Sequence, residues 1–504
     1  MSLDSLTQLP ASTILLLGVG ILVAWVGVSK AYESYKLRKL GKRPPAAPTW
    51  IPLLGLDIIQ DSMKNARNYT SYDGWKDKSE RVGYTFEMTL LLNRLVFTVE
   101  PENMKALLTS QFNDFGKGEK FHKGWFPFLG DSIFATDGDK WHNSRQLIRP
   151  QFIKERVSDL HTFETHIQKM ISLIREAQGQ TIDVQDLFFR LTLDAATDFL
   201  LGSSVNSLDS PQVEFAEAFA IVQKTHTDME RLGALHHFIR FPKYKKSLEI
   251  LNRFVNQFVH QVVRMTPEEL ESKGSHNYNF LHALAGFTRD PKTLRDQLVA
   301  VLLAGRDTTA VTLSWALYEL SRKPEVVQRL RQEILETVGP MEPPTYENLK
   351  NMKYLQHIIN ETLRLYPAVP FNVRTALKDT TFPVGGGPDR KQPIAILKGT
   401  QVAYGPIIMQ RRKDLFGPDA DEFKPERWNN WTPKAWQYIP FNGGPRICIG
   451  QQFALAEMGY CLVRLFQSFE EVNYMGTKPP RMRCEITVSA AGGVEVAFRE
   501  ASKA

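Results

Sequence analysis

Phe441-Asn-Gly-Gly-Pro-Arg-Ile-Cys-Ile-Gly450 concentrates more potential chemistry than any other segment of the chain. Cys448 stands just ahead of Gln451–Glu457, a run whose composition opens a helix. A thiol at the positive end of a helix, with Arg446 two residues away, is inclined toward thiolate, the form that attacks electrophiles and binds metals. Gly444 and Gly450 would let backbone approach a flat partner closely. Taken alone, one cysteine is more often buried and inert. A second candidate is Ala304-Gly-Arg-Asp-Thr-Thr309, which places Asp307 and Thr308 within an apolar stretch. An acid there is costly unless partnered, and the hydroxyl can bond back to a carbonyl and open the helix locally. Glu361 and Arg364, at i and i+3, share a helical face and can pair. Arg145 and Arg374 carry guanidinium groups, which stay charged and suit carboxylates.

These residues need rigid elements to hold them. Asp290 is a plausible N-cap with Pro291 at N1, and helical composition then runs to about Arg322 before Lys323-Pro324. Roughly 30 residues would span about 45 Å. The middle, Leu298–Gly305, is apolar on every side, so the helix should pass through the centre of the protein. Arg81–Val99, around Leu92-Asn-Arg94, suggests a hairpin, and Ile486–Ser489 with Val494–Phe498 suggests another. Helical patterns fill most of the sequence between them.

The 504 residues are 43% hydrophobic and 23% charged, which excludes general disorder and allows one large core. Cys448, Cys461 and Cys484 form neither a disulfide framework nor a CxxC zinc pattern. The net charge of +7 suits a nucleic acid, an anionic membrane or an acidic partner without choosing among them. Ala11–Ser29 carries no charge, and about 19 helical residues cover roughly 28 Å, the thickness of a bilayer core. Lys30, Lys36, Arg38, Lys39, Lys42 and Arg43 follow, so the positive-inside rule puts the bulk of the chain in the cytosol. The expected organisation is a short lumenal tail (1–10), a transmembrane anchor (11–29), a basic and proline-rich hinge (30–52) and a catalytic domain (53–504).

The Cys448 segment resembles the FxxGxRxCxG signature of cytochromes P-450 at every specified position, Phe441, Gly444, Arg446, Cys448 and Gly450. The resemblance extends along the chain in family order. It implies a mainly α fold with small β-sheets (α+β), haem b held noncovalently, and Cys448 as axial thiolate, which favours O–O cleavage. It further implies that Arg446, Trp141, Arg145 and Arg374 serve the haem propionates. Thr308 would hydrogen-bond dioxygen, and Asp307 would relay protons to it. Glu361, Arg364 and Arg427 would form a structural triad. Electrons would come from NADPH through a separate cytochrome P-450 reductase, with cytochrome b5 as a further possible donor. The setting would be a single-pass protein of the endoplasmic reticulum membrane.

Leu129–Trp141 through Phe152, Thr381–Gly387 and Arg411–Ala420 look like the fungal branch that hydroxylates alkanes and fatty acids near the chain terminus. A related animal branch carries a glutamate that esterifies the haem; this chain has Ala304 there. Gln410 departs from that pattern, where histidine is usual, as does Tyr404-Gly-Pro-Ile407. Val301, Ala304, Val369, Phe371 and Val373 are the candidate substrate wall, mostly apolar as a chain-like lipid requires. Biosynthetic lipid-like or terpenoid substrates are the alternative. A hydroperoxide isomerase or dehydratase, or a haem sensor, would have less use for an intact Asp307-Thr308 pair. Scattered basic residues argue against nucleic-acid binding.

Overall fold

The computed structural model describes residues 10–153, 160–210, 214–270 and 279–502. The expected tail lies outside them except for Pro10. No helix breaker follows the apolar run until Gly41, and helix α1 (Ala11–Leu40) accordingly runs past Ser29, with Leu15, Leu16, Ile21 and Val28 exposed. The hinge expected at 30–52 is therefore corrected. Its first eleven residues are helix, docked by Leu37 against Ala395 and Leu397, by Lys36 on Asp379 (2.7 Å) and by Lys30 on the Leu92 carbonyl (2.8 Å). The prolines that follow still present carbonyls, and Pro45 O accepts from Glu87 N (2.9 Å) while Ala47 N donates to Glu87 O (2.8 Å).

The first expected hairpin forms, with β1 (Thr85–Leu90) antiparallel to β2 (Asn93–Thr98). They belong to a five-stranded sheet, in order β1, β2, β6, β4, β3, with β3 (Phe115–Gly116), β4 (Asn372–Ala376) and β6 (Gln401–Tyr404); β5 (Thr380–Gly386) pairs outside it. The second expected hairpin does not form. Met482–Cys484 pairs with Val488–Ala490, whereas Glu495–Glu500 pairs with Phe469–Tyr474 and the short strand Ile182–Asp183. The reason lies in Gly492 and Gly493, both near φ +90°, which turn the chain away, and Val494 N then donates to Asp183 Oδ1 (2.9 Å).

Helices make up most of the remaining body. Those that carry the argument are α2 (Gly118–Leu129), α3 (Gly138–Ile148), α4 (Val184–Leu201), α5 (Glu214–Leu232), α6 (Pro242–Val263), α7 (Pro291–Leu320), α8 (Lys353–Leu365) and α9 (Gln451–Ser468). Helix α7 starts as the sequence predicts, with Asp290 Oδ2 accepting from Thr293 N (2.9 Å) and Pro291 at the first position. It ends at Leu320, two residues before the expected Arg322.

Two apolar clusters form the interior, and α7 passes through both. Leu294, Leu298, Val299, Leu302 and Leu303 belong to one, while Ala310, Leu313, Trp315 and Leu317 belong to the other. Ala304–Thr309 therefore occupies the seam between them. Phe441 packs against the second cluster and Ile449 against the first, so the Cys448 loop meets the same seam.

Helices α2, α5 and α6 meet around His226, which stacks on Trp125 (4.7 Å) and Phe128 (5.5 Å) and bonds Tyr244 Oη through Nε2 (3.0 Å). Burial, with nearby His236, depresses its pKa to about 4. In the unfolded chain His226 would protonate near 6.5, so this contact is fully stable above that pH and loses stability as pH falls from about 6.5 toward 4, by about 3 kcal/mol in total. His226→Phe should remove that component, read as a flatter dependence of unfolding free energy on pH over this interval.

Candidate active site

The segment Phe441–Gly450 closes on itself, with Cys448 N donating to Phe441 O (2.9 Å). At Gly444 (φ +67°) an added Cβ would lie 1.8 Å from Leu108 O, so glycine is required. Tyr404 Oη donates to Asn442 Oδ1 (3.1 Å), and Asn442 Nδ2 to Arg446 O (3.3 Å). The departing Tyr404 thus braces the loop. Cys448 presents accessible surface although burial raises its thiol pKa, as expected for a sulfur facing interior space. The Gly450 N–H and the Arg145 charge only partly oppose that rise. The expected thiolate stabilisation by Arg446 is corrected: its guanidinium is engaged elsewhere.

Arg446 Nη2 donates to Asp137 Oδ1 (2.7 Å) and Thr136 O (2.8 Å), and its guanidinium lies 4.6 Å from the Trp141 ring. Arg145, on the same helix α3 as Trp141, donates from Nη1 to Ile447 O (3.0 Å), beside the cysteine. The β3–β4 pairing sets Gly116 opposite Thr375 and thereby brings Lys117 to Arg374. Both donate to Asn372 Oδ1 at 3.1 Å, Lys117 through Nζ and Arg374 through Nη1. Asp137 also accepts from Lys117 N and Gly118 N, each at 2.8 Å.

Lys117 and Asp137 escaped the sequence reading. The available signal was a lysine between two glycines, Gly116-Lys117-Gly118, following a short strand. Burial and the neighbouring cations push the Lys117 pKa well down, and the same causes bring Arg446 to about 10. Arg446 Nε is buried without a hydrogen-bond partner. Arg446 thus takes the Asp137 carboxylate while Lys117 and Arg374 share the neutral Asn372 amide, and a guest carrying further carboxylates would relieve these cations. Among the described residues no three His, Cys, Asp or Glu side chains are placed to hold a bare ion. A lone thiol beside a cation-rich pocket suits a metal that brings its other ligands and its own acids, as haem does.

On α7, Val301, Ala304 and Thr308 remain partly accessible while Leu302, Leu303, Arg306, Asp307 and Thr309 are buried. Spacings of i, i+3 and i+7 put them on one face. Thr308 Oγ1 donates to Ala304 O (2.7 Å), the expected back-bond, but the helix stays continuous and the expected local opening is absent. Asp307 is buried beside Arg306 (Nη1 to Oδ1, 3.2 Å), and burial raises its pKa. Val369 is exposed amid buried neighbours, and Val373 pairs with Ala403 across the sheet. Phe371 instead packs against Trp75 (5.8 Å) and Phe97 (6.5 Å), within an aromatic group of the core.

Glu361 and Arg364 are fully buried and joined by two 2.8 Å bonds. Arg427 Nε and Trp428 Nε1 complete the Glu361 carboxylate, at 3.3 and 3.0 Å. Gln410 explains its own departure from histidine. Its amide donates to Leu363 O and Arg364 O (3.1 Å each) and accepts from Ile439 N (2.8 Å). Neutral imidazole has one donor and one acceptor and could not make all three bonds.

The sequence that builds this geometry matches known proteins. The cytochrome P450 family model covers residues 45–493. Cytochrome P450 monooxygenase pvhE of Talaromyces variabilis is 46% identical, covering 94% of this chain and 93% of the relative. Cytochrome P450 52A13 of Debaryomyces hansenii is 43% identical over 82% of this chain and 83% of its own. Cytochrome P450 52A1 of Candida tropicalis is 41% identical over 93% and 91%. Because the matched span takes in both faces of the seam, from the first hairpin through α7 to α9, the chain belongs to the cytochrome P450 family, oxidoreductases that incorporate O2, bind haem through a cysteine thiolate and receive NADPH electrons through a reductase.

Proposed function

We propose that this monooxygenase hydroxylates a long aliphatic substrate, an alkane, fatty acid or related lipid, at or near its terminal carbon, with Cys448 as the haem ligand. The observation that carries the reading is the accessible face of Val301, Ala304 and Thr308, which is largely apolar and set at the seam that the Cys448 loop also meets. The passages that resemble the fungal alkane- and fatty-acid-hydroxylating branch support the same substrate class. The departures from the fungal pattern at Gln410 and Tyr404-Gly-Pro-Ile407 favour one second reading, a biosynthetic lipid-like or terpenoid substrate.

Bound haem would supply the centre at which O2 is split, one atom entering a C–H bond and the other leaving as water with two electrons and two protons. The protein's own part is positional and protonic. Arg446, Arg374, Lys117 and Arg145 would hold the propionate edge, with Trp141 packed against Arg446. Ala304 in place of an acid leaves no ester to form. By donating to Ala304 O, Thr308 turns its oxygen lone pairs outward as an acceptor. Asp307, its pKa raised by burial, would take up and pass protons. Helix α1 is long and apolar enough to cross a bilayer, and its basic C-terminal half supports an endoplasmic reticulum anchor with the body cytosolic. A separate reductase would deliver the electrons, and the net charge of +7 suits an acidic partner.

Cys448→Ala should abolish the strongly red-shifted Soret band of the reduced, carbon monoxide-bound protein; persistence of that band would remove Cys448 as ligand. Thr308→Ala should lower product per NADPH by about tenfold and release peroxide, the scale of one lost hydrogen bond. Val301→Phe should move hydroxylation along a fatty-acid chain or exclude the longest substrates, read as product regioisomers by mass spectrometry. A screen of alkanes, fatty acids and terpenoids with a reductase separates the two substrate readings.

A further inference from the structure

We propose that Gln223 is a positioning residue for proton delivery: its side-chain amide holds the Asp307 carboxyl and makes the relay dependent on helix α5. The proposal rests on Asp307 acting as the relay acid, as read above.

Helix α5 meets α7 at this point. The Arg306 guanidinium lies 5.6 Å from the Phe219 ring of α5 and 5.4 Å from Phe189 of α4. Phe219 and Gln223 are four residues apart on α5, hence on one face. Gln223 adjoins Asp307 and lowers its pKa against the effect of burial. Yet Asp307 Oδ1 and Gln223 Nε2 are both buried and neither has an aligned hydrogen bond, Arg306 approaching Oδ1 only as an ion pair. A buried acceptor and a buried donor each left open destabilise the fold unless they are joined. Here the two are complementary in kind and adjacent, and a small side-chain rotation would join them.

The amide's chemistry suits this task. A second cation facing Asp307 would hold it permanently ionised, whereas an amide hydrogen bond orients the carboxyl while leaving it able to gain and lose a proton. Gln223 also lies one turn from His226, the residue that locks α5 to α2 and α6. Movement of α5 away from α7 would therefore withdraw the amide from Asp307. Proton delivery would be ready only when α5 is closed over the seam.

The experiment uses full-length, haem-loaded protein in lipid nanodiscs. Infrared difference spectra on photolysis of bound carbon monoxide report the Asp307 carboxyl stretch, assigned by its loss in Asp307→Asn. Gln223→Leu should raise the frequency of that band, because a hydrogen-bond donor is gone. It should also reduce product per NADPH by roughly tenfold, as the loss of one hydrogen bond predicts. In the Asp307→Asn background Gln223→Leu should add no further loss, whereas a merely structural role would give additive losses. Gln223→Met, an apolar chain of the same length, serves where the leucine variant fails to fold. An unshifted band or additive losses would overturn the positioning role. Intact coupling in Asp307→Asn alone would instead overturn the relay reading, and the positioning role with it, even where the band moves.

Discussion

Arg364 carries a guanidinium with no exposed surface, so each of its donors must be met inside the protein. Glu361 meets two of them, and the carbonyls of Gln410, Ala420 and Glu422 meet the others. Glu361 is met in turn by Lys424 N, Arg427 and Trp428. One buried charge thereby fixes the path of residues 410–428 over α8. Removing one partner of such a pair costs about 3–5 kcal/mol, because the other charge stays buried and alone. From this segment the chain runs directly to the cysteine loop, and Gln410 to Ile439 and Tyr438 to Asn360 carry the register forward. The position of Cys448 is thus inherited from an ion pair that takes no part in its chemistry.

The seam follows a related logic. Two apolar clusters flank it, and Arg306, Asp307 and Thr309 are buried in the strip between. Low polarity raises the pKa of Asp307 and lowers those of Lys117 and Arg446, so each group sits closer to neutrality than it would in water. Asp137 is the pivot on the cationic side. It joins the start of α2, the start of α3 and the cysteine loop through one carboxylate. The cation excess left over is what makes this side of the seam fit a dianionic guest, and the apolar face of α7 is what makes the other side fit a hydrocarbon.

Helix α7 and the Glu361–Arg364 pair were legible in the sequence because their causes are local: a cap, a proline, an apolar run and an i,i+3 spacing. The same holds for the first hairpin. The cysteine loop was legible as a motif, but the partner of Arg446 was not, since Asp137 lies far away in sequence. Lys117 was missed because its neighbours Arg374 and Asn372 reach it only through strand pairing. The final strands were mispaired because alternation shows that a segment is a strand without naming its partner, and two glycines redirected the chain. Phe371 shared the alternation of Val369 and Val373, yet packing turned its ring into the core.

Sequence alone determined the elements, the cysteine, the acid and hydroxyl pair and the family resemblance, all of which depend on residue type over short spacings. Tertiary structure decided which charges stand together, that the N-terminal apolar helix continues into the body, and that α5 brings an amide beside Asp307. Those outcomes depend on desolvation and on contacts between residues hundreds of positions apart, and no local pattern encodes them.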